Sequence, residues 1–94
     1  MSYKLSFHPK AFKEWGKLDS SIKEQFKKKL EKRLENPKVV KDKLSGFDEV
    51  YKIKLRTAGY RLAYEVIDDK ITILVLAVGQ RENNKIYNLL HSRV

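Results

Sequence analysis

Residues 51 to 66 read YKIKLRTAGYRLAYEV, and apolar and cationic side chains alternate through them almost without error. A period of two marks half-buried strands, because successive side chains point to opposite sides of a sheet. A reversal around Thr57-Ala58-Gly59 turns the stretch into a hairpin with one apolar face and one charged face. Pairing Thr57 with Tyr60 sets Leu55 against Leu62, Ile53 against Tyr64 and Tyr51 against Val66; a one-residue slip would drive lysines into the core. In this register Arg56 faces Arg61, and Glu65 faces Lys52. Ala58 is an unusual first residue for a tight turn, so the pairing is better determined than the loop type.

The remaining chain supplies what the apolar face needs. Tyr3, Leu5 and Phe7 alternate with Lys4, Ser6 and His8 as a first strand, and Pro9 suits the first turn of a helix carrying Ala11, Phe12, Trp15 and Leu18. Gly16 weakens that helix at its end. Ser21 and Glu24 form a capping-box pattern ahead of Ile22, Phe26, Leu30 and Leu34, a second helix that Asn36-Pro37 ends. The two helices read as a hairpin whose apolar stripe requires a sheet to cover it. Beyond the polar connection KVVKDKLSGFDEV and the cationic hairpin, Asp68-Asp69 makes a turn. ITILVLAV, apolar on both faces, is a central strand, whereas the lysine-bearing strand has an edge composition. RENNKIYNLLHSRV then forms a short helix with Ile86, Leu89 and Leu90 on one side. The expected class is α+β, a two-helix hairpin on a small, mainly antiparallel sheet. Its order is strand, helix, helix, three strands, helix, in one domain spanning residues 1–94.

Charge narrows the partners. Lys plus Arg number 21 against 12 Asp plus Glu, a formal +9 that favours polyanions through counterion release, nucleic acid first. The chain has no cysteine, which excludes a disulfide framework, thiolate metal sites and zinc fingers. The longest apolar run, Ile73 to Val78, is too short to span a bilayer, and MSYKLSFHPK has no apolar signal segment. A soluble, cytoplasmic protein is expected.

Lys52, Lys54, Arg56 and Arg61 crowd one small surface beside Ala63, and Arg81 follows Gly79 just past the central strand. Edge strands use lysine against aggregation, so a solvated face is the plain alternative. Arginines suited to bidentate phosphate contact favour a phosphate ligand instead. Such a patch can also cut RNA. Attack by the chain's own 2′-OH requires loss of that proton, stabilisation of a phosphorane and support for the departing 5′ oxygen. Cations serve the second task directly, and a lysine with a depressed pKa serves the first. His8, beside the first helix, and His91, near the tail, are by contrast surface or capping groups, with His91 a secondary candidate participant. Tyr87 points away from the main apolar line of its helix and can stack on a base. Trp15 extends the core stripe. Lys27, Lys28, Lys29, Lys32 and Arg33 form a solvated face of the second helix, with Lys28, Lys32 and Arg33 as candidate RNA-backbone contacts.

YKIKLRTAGYRLAYEVIDD followed by VGQRENNKIY resembles the signature region of the RelE toxins of bacterial toxin–antitoxin systems, within the RelE/ParE superfamily. FHPKAFKEWGKLDSSIKEQFKKKLEKRLENP is similar to that family's first strand and helical hairpin, so the likeness covers essentially the whole chain. It implies a RelE-like fold and a ribosome-dependent mRNA interferase, a metal-independent endoribonuclease that cuts mRNA in the A site of the 70S ribosome, against 16S rRNA. No metal or other cofactor is implied. Carried over residue by residue, Lys52 is the candidate base, Lys54 and Arg61 stabilise the phosphorane, Arg81 assists the leaving oxygen, and Tyr87 stacks or orients. Arg56 joins the RNA contacts. The implied partner is a RelB-type antitoxin that covers the cations and covers or displaces the terminal helix. Ser45 stands where many relatives carry arginine, and Gln80 replaces a residue that is often basic. Relatives that pair a glutamate with a histidine as acid and base are less similar. Two other readings remain: a ParE-like inhibitor of DNA gyrase, and a non-catalytic RNA-binding module.

Overall fold

The computed structural model describes residues 2–80 and 85–93, the side chains of residues 85 and 87 excepted. Pro9 stands in the first turn of α1 (Pro9–Gly16), where its missing N–H is no loss. The His8 ring caps that helix by accepting from the Lys10 amide at 3.2 Å. Strand β1 (Lys4–Phe7) precedes it, and α2 (Ser20–Glu35) follows. Asp19 is the residue at the N-cap of α2, so the capping-box pattern at Ser21 lies inside the first turn instead of opening it. Then come β2 (Val50–Leu55), β3 (Tyr60–Ile67), β4 (Thr72–Gln80) and α3 (Lys85–Arg93), with single 3-10 turns at Val40–Asp42 and Asp68–Lys70. The α+β class and the element order match the expectation.

The strands lie in the order β1-β4-β3-β2, with β1 parallel to β4 and the other pairs antiparallel. The apolar strand is central and the lysine-bearing strand is an edge, as its composition indicates. The hairpin register differs from the expected one by two residues: Leu55 pairs with Tyr60, Ile53 with Leu62 and Tyr51 with Tyr64. A two-residue turn at Ala58-Gly59 would put both residues in the left-handed region, which alanine resists. Residues 56–59 instead form the turn, with only Gly59 left-handed (φ 72°) and its amide donating to the Leu55 carbonyl at 2.8 Å. An even shift preserves both faces but changes partners. Lys54, and not Arg56, faces Arg61; Lys52 faces Ala63; Glu65 faces Val50.

One face of the sheet carries the large core. Ile22, Phe26 and Leu30 of α2 and Ala11 of α1 pack on Tyr51, Ile53, Leu55, Leu62, Tyr64, Val66, Ile73, Val75 and Val78, with Trp15 and Phe7 against them. Trp15 lies 5.4 Å from Phe7 and 6.2 Å from Phe26 by ring centroid, so it is part of the core, as expected. Phe12 is not: it is 63% exposed and meets the Phe7 ring edge-on at 5.7 Å. Each fully buried large side chain contributes about 1.5–3 kcal/mol, which makes this face the main source of stability.

The other face carries a smaller cluster, Val50, Ala63, Leu76, Ala77 and Leu90, with Ile86, Leu74, Leu44 and Phe47 around it. A bulge in β4 makes this division possible. Ala63 pairs with Ala77 and Tyr64 with Val75, so Leu76 is the extra residue. Leu76 and Ala77 both serve the smaller cluster, and Val78 returns to the larger one. Beyond the end of β1, the exposed edge of β4 is closed by side chains. Glu14 Oε1 accepts from the Val78 amide at 3.1 Å, Arg93 donates to the Leu76 carbonyl at 2.9 Å, and the two side chains form a bidentate pair at 2.9 Å. Helix α3 is thereby fastened to α1 across the sheet edge.

Candidate active site

The charged face is ordered in rows by the observed register. Lys54, Arg61 and Gly79 form one row across β2, β3 and β4; Lys52, Ala63 and Ala77 form the next. Directly opposed side chains start about 5 Å apart, so Lys54 and Arg61 repel one another and Lys52 stands diagonal to Arg61. Their neighbours are small. Ala63 and Ala77 are buried under the α3 cluster, and a Cβ built on Gly79 meets nothing within 4 Å among the described residues. The result is a row of cations that ends at an open position over Gly79, next to alanines that the α3 cluster covers. Arg61 Nε is buried and has no hydrogen-bond partner among the described residues.

Of the other predicted residues, Arg56 lies in the turn, exposed, and lines a groove with Gln25, Lys29, Lys54, Leu55 and Thr57. Lys28 and Lys32 line an adjoining hollow with Gln25 and Lys29. These cations form a belt from α2 around the open edge of β2 to the hairpin tip. Arg81 and the side chain of Tyr87 lie outside the described residues. His8 is occupied as the α1 cap, and the His91 ring packs at 5.0 Å against Phe47. Among the described residues, no group of three His, Asp or Glu is placed to hold a metal ion.

Arg33 does not belong to the solvated face. Its guanidinium turns inward and donates to Asp42 Oδ2 at 2.6 Å, to the Tyr64 hydroxyl at 2.9 Å and to the Lys52 carbonyl at 3.3 Å. The Tyr64 hydroxyl in turn donates to the Pro37 carbonyl at 2.7 Å. Burial raises the Tyr64 pKa, against the pull of Arg33. Burial alone would lower the Arg33 pKa, but its bonds to Tyr64 and Asp42 prevail and raise it. Arg33 is therefore a largely buried internal group, turned away from the solvated lysines and not placed as an RNA contact. The signal for this was present in the spacing: Arg33 stands seven residues from Phe26 and three from Leu30, on the buried side of the helix. Tyr64 gave a second signal, because a tyrosine within an apolar face needs a partner for its hydroxyl.

At the opposite end of the hairpin, Lys38 bridges Asp68 at 2.8 Å and Glu49 at 3.6 Å, and Tyr3 donates to Asp68 at 2.9 Å. The bonds from Lys38 and Tyr3 hold the Asp68 carboxyl below its ordinary pKa, and the bond to Asp68 raises that of Lys38.

Fold and site together define a small toxin-like domain, and comparison with known proteins gives its family. The family described as ParE toxin of type II toxin–antitoxin system, parDE, matches residues 5–85. The chain belongs to the RelE/ParE family of toxins from type II toxin–antitoxin systems. The mRNA interferase toxin RelE of Escherichia coli K12 is 48% identical over 94 residues, covering 100% of this chain and 99% of that protein. Among solved structures, an arginine-substituted mutant of E. coli RelE in the free state superimposes with a TM-score of 0.93 at 47% identity, covering 100% of this chain and 99% of that one. The toxin of the intact E. coli RelBE toxin–antitoxin complex superimposes with a TM-score of 0.84 at 50% identity, over 87% of this chain and 100% of that one. The RelE-like fold inferred from the sequence is the observed one.

Proposed function

We propose that this chain is a ribosome-dependent mRNA interferase, a metal-independent endoribonuclease that cuts message in the ribosomal A site and is neutralised by a RelB-type antitoxin. The observation that carries the reading is the row of Lys54 and Arg61, with Lys52 diagonal to it, over the open floor at Gly79. A relative named as an mRNA interferase, 48% identical along its full length, supports it.

In this mechanism the 2′ oxygen of the nucleotide attacks its own 3′ phosphorus. Lys52 in its neutral form accepts the 2′ proton, a step worth about 10²–10⁴-fold when well placed. The phosphorane gains negative charge on its equatorial oxygens, and Lys54 and Arg61 stabilise it; one such donor contributes about 10²–10³-fold. Arg81 assists the departing 5′ oxygen, which takes up a proton from solvent, leaving a 2′,3′-cyclic phosphate and a 5′-hydroxyl. Tyr87 stacks on a base and holds the geometry in line. Ribosomal presentation of the codon supplies the orientation that a few surface cations cannot, so free RNA is a poor substrate. Arg56, Lys28 and Lys32 hold backbone phosphates, and the site of action is the cytoplasm.

The antitoxin acts by covering the cations and covering or displacing α3. That helix rests on the smaller cluster and on the Glu14–Arg93 pair, and a relative has been solved in complex with its RelB.

A ParE-like inhibitor of DNA gyrase is the second reading, favoured by the family description that matches residues 5–85. It predicts double-strand DNA breaks with intact message. A plain RNA-binding module predicts RNA retention without scission. Mapping 5′ ends on a translated message after brief expression, beside Arg81→Ala, separates the three. Cuts aligned to the reading frame and absent in the variant are expected; uncut message with arrested growth overturns the nuclease reading.

A further inference from the structure

Strand β2 carries two of the three cations of the site, yet it is the edge of the sheet and has a partner strand on one side only. Its outer side is closed in steps. At its start, the Leu44 amide donates to the Val50 carbonyl at 2.9 Å, next to an isolated bridge between Lys43 and Tyr51. One pleat further on, the outward carbonyl is that of Lys52, and it is met by the Arg33 guanidinium reaching from α2 on the opposite face of the sheet. The same guanidinium holds Asp42, the residue immediately before the bridging loop, and the hydroxyl of Tyr64 on β3, the neighbouring strand.

We propose that Arg33 is a positioning residue for Lys52. Its fork ties the Val40–Asp42 turn, the outer edge of β2 and the core tyrosine of β3 to one point on α2. Fixing the Lys52 carbonyl fixes the peptide plane from which the Lys52 side chain rises on the other face. That role matters because an edge strand twists and slides more freely than a central one, and a shift of about 1 Å in a reacting group lowers a rate about 10²-fold. A lysine could bring the charge but not the planar fork that reaches a carboxylate, a hydroxyl and a carbonyl together. The Asp42 carboxylate compensates the largely buried charge, with both side chains under one-fifth exposed. Arg33 touches no substrate in this arrangement, and its influence on cleavage passes through the backbone of β2.

The inference rests on the proposed nuclease reading, and its test separates the two. The full-length chain is assayed for single-turnover cleavage of message on programmed ribosomes, as wild type, Arg33→Met, Asp42→Asn and Phe7→Leu. The last loosens the core at β1, the far edge of the sheet. Arg33→Met is expected to lower the maximal rate about 10–100-fold and Asp42→Asn less, each with the half-saturating ribosome concentration within about twofold. Phe7→Leu keeps the wild-type rate when compared at equal folded fraction. A second measurement needs no RNA: the Lys52 carbonyl ¹³C resonance should move in Asp42→Asn and Arg33→Met but not in Phe7→Leu. Wild-type rates in Asp42→Asn together with an unmoved Lys52 carbonyl overturn the positioning role. Wild-type protein that leaves A-site message intact overturns the nuclease reading, and the carbonyl resonance then decides alone whether Arg33 fixes Lys52.

Discussion

The two faces of this sheet are built from the same four strands and are held in different ways. On one, α1 and α2 cover a continuous cluster of large side chains centred on Phe26, Leu30 and Tyr64. On the other, α3 packs its Leu90 onto four buried residues of the sheet, two of them alanines, and the remaining surface carries Lys52, Lys54 and Arg61. The first face obtains its free energy from apolar area, which is non-directional and tolerant. The second gives up area for charge and open floor, and it holds its covering helix with the directed Glu14–Arg93 pair. On the proposed reading, stability and chemistry fall on opposite sides of one sheet, and substitutions should separate along that line.

The largest effect is expected in the first face. Phe26→Ala should lower the unfolding free energy by about 3–5 kcal/mol, read by urea denaturation, while cleavage per folded molecule stays near wild type. Next comes the fastening of the second face. Glu14→Gln removes the charge partner of the nearly buried Arg93 and should cost about 2–3 kcal/mol. Amide exchange in α3 should rise more than in α2; equal protection of α3 in variant and wild type would break the comparison. Smaller still in stability is Gly79→Ala. Its Cβ enters open space, so the fold should be unchanged or firmer by up to about 1 kcal/mol, yet cleavage should fall because the methyl occupies the floor of the site.

The smallest effect is a pH dependence at the far end of the hairpin. The native Asp68 carboxyl titrates below its ordinary value, so the unfolded chain binds that proton more readily. The contribution of the Lys38 and Tyr3 bonds is therefore complete above about pH 4 and is lost as the pH falls through the lowered native value. Comparing acid unfolding of wild type and Asp68→Asn should show a shallower acid slope in the variant; identical slopes would remove Asp68 from the account. Cleavage on ribosomes near neutral pH should not register this change.

Much of this division was legible in the residues themselves. Alternation through 51 to 66 and the four-residue spacing of Ile22, Phe26, Leu30 and Leu34 identify both faces of the hairpin and the helix that covers one of them. The same periodicity explains what was missed. A period of two is blind to even shifts, so the register moved by two residues without disturbing either face, and only the left-handed requirement at Gly59 decides it. The bulge at Leu76 sits in a run apolar on both sides, where no polar residue marks a change of phase. Arg33 was hidden by its charged neighbours. Composition grouped it with Lys28 and Lys32, whereas its helical position groups it with Phe26 and Leu30.

The central claim is that the cation row serves transition-state charge and not the fold. Arg61→Ala tests it most directly, by single-turnover cleavage on programmed ribosomes beside urea unfolding of the same preparation. The expected result is a loss of about 10²–10³-fold in rate with the unfolding free energy unchanged within about 0.5 kcal/mol or raised, since a repelling neighbour of Lys54 is gone. Cleavage at the wild-type rate, or a rate loss explained wholly by unfolding, would contradict it.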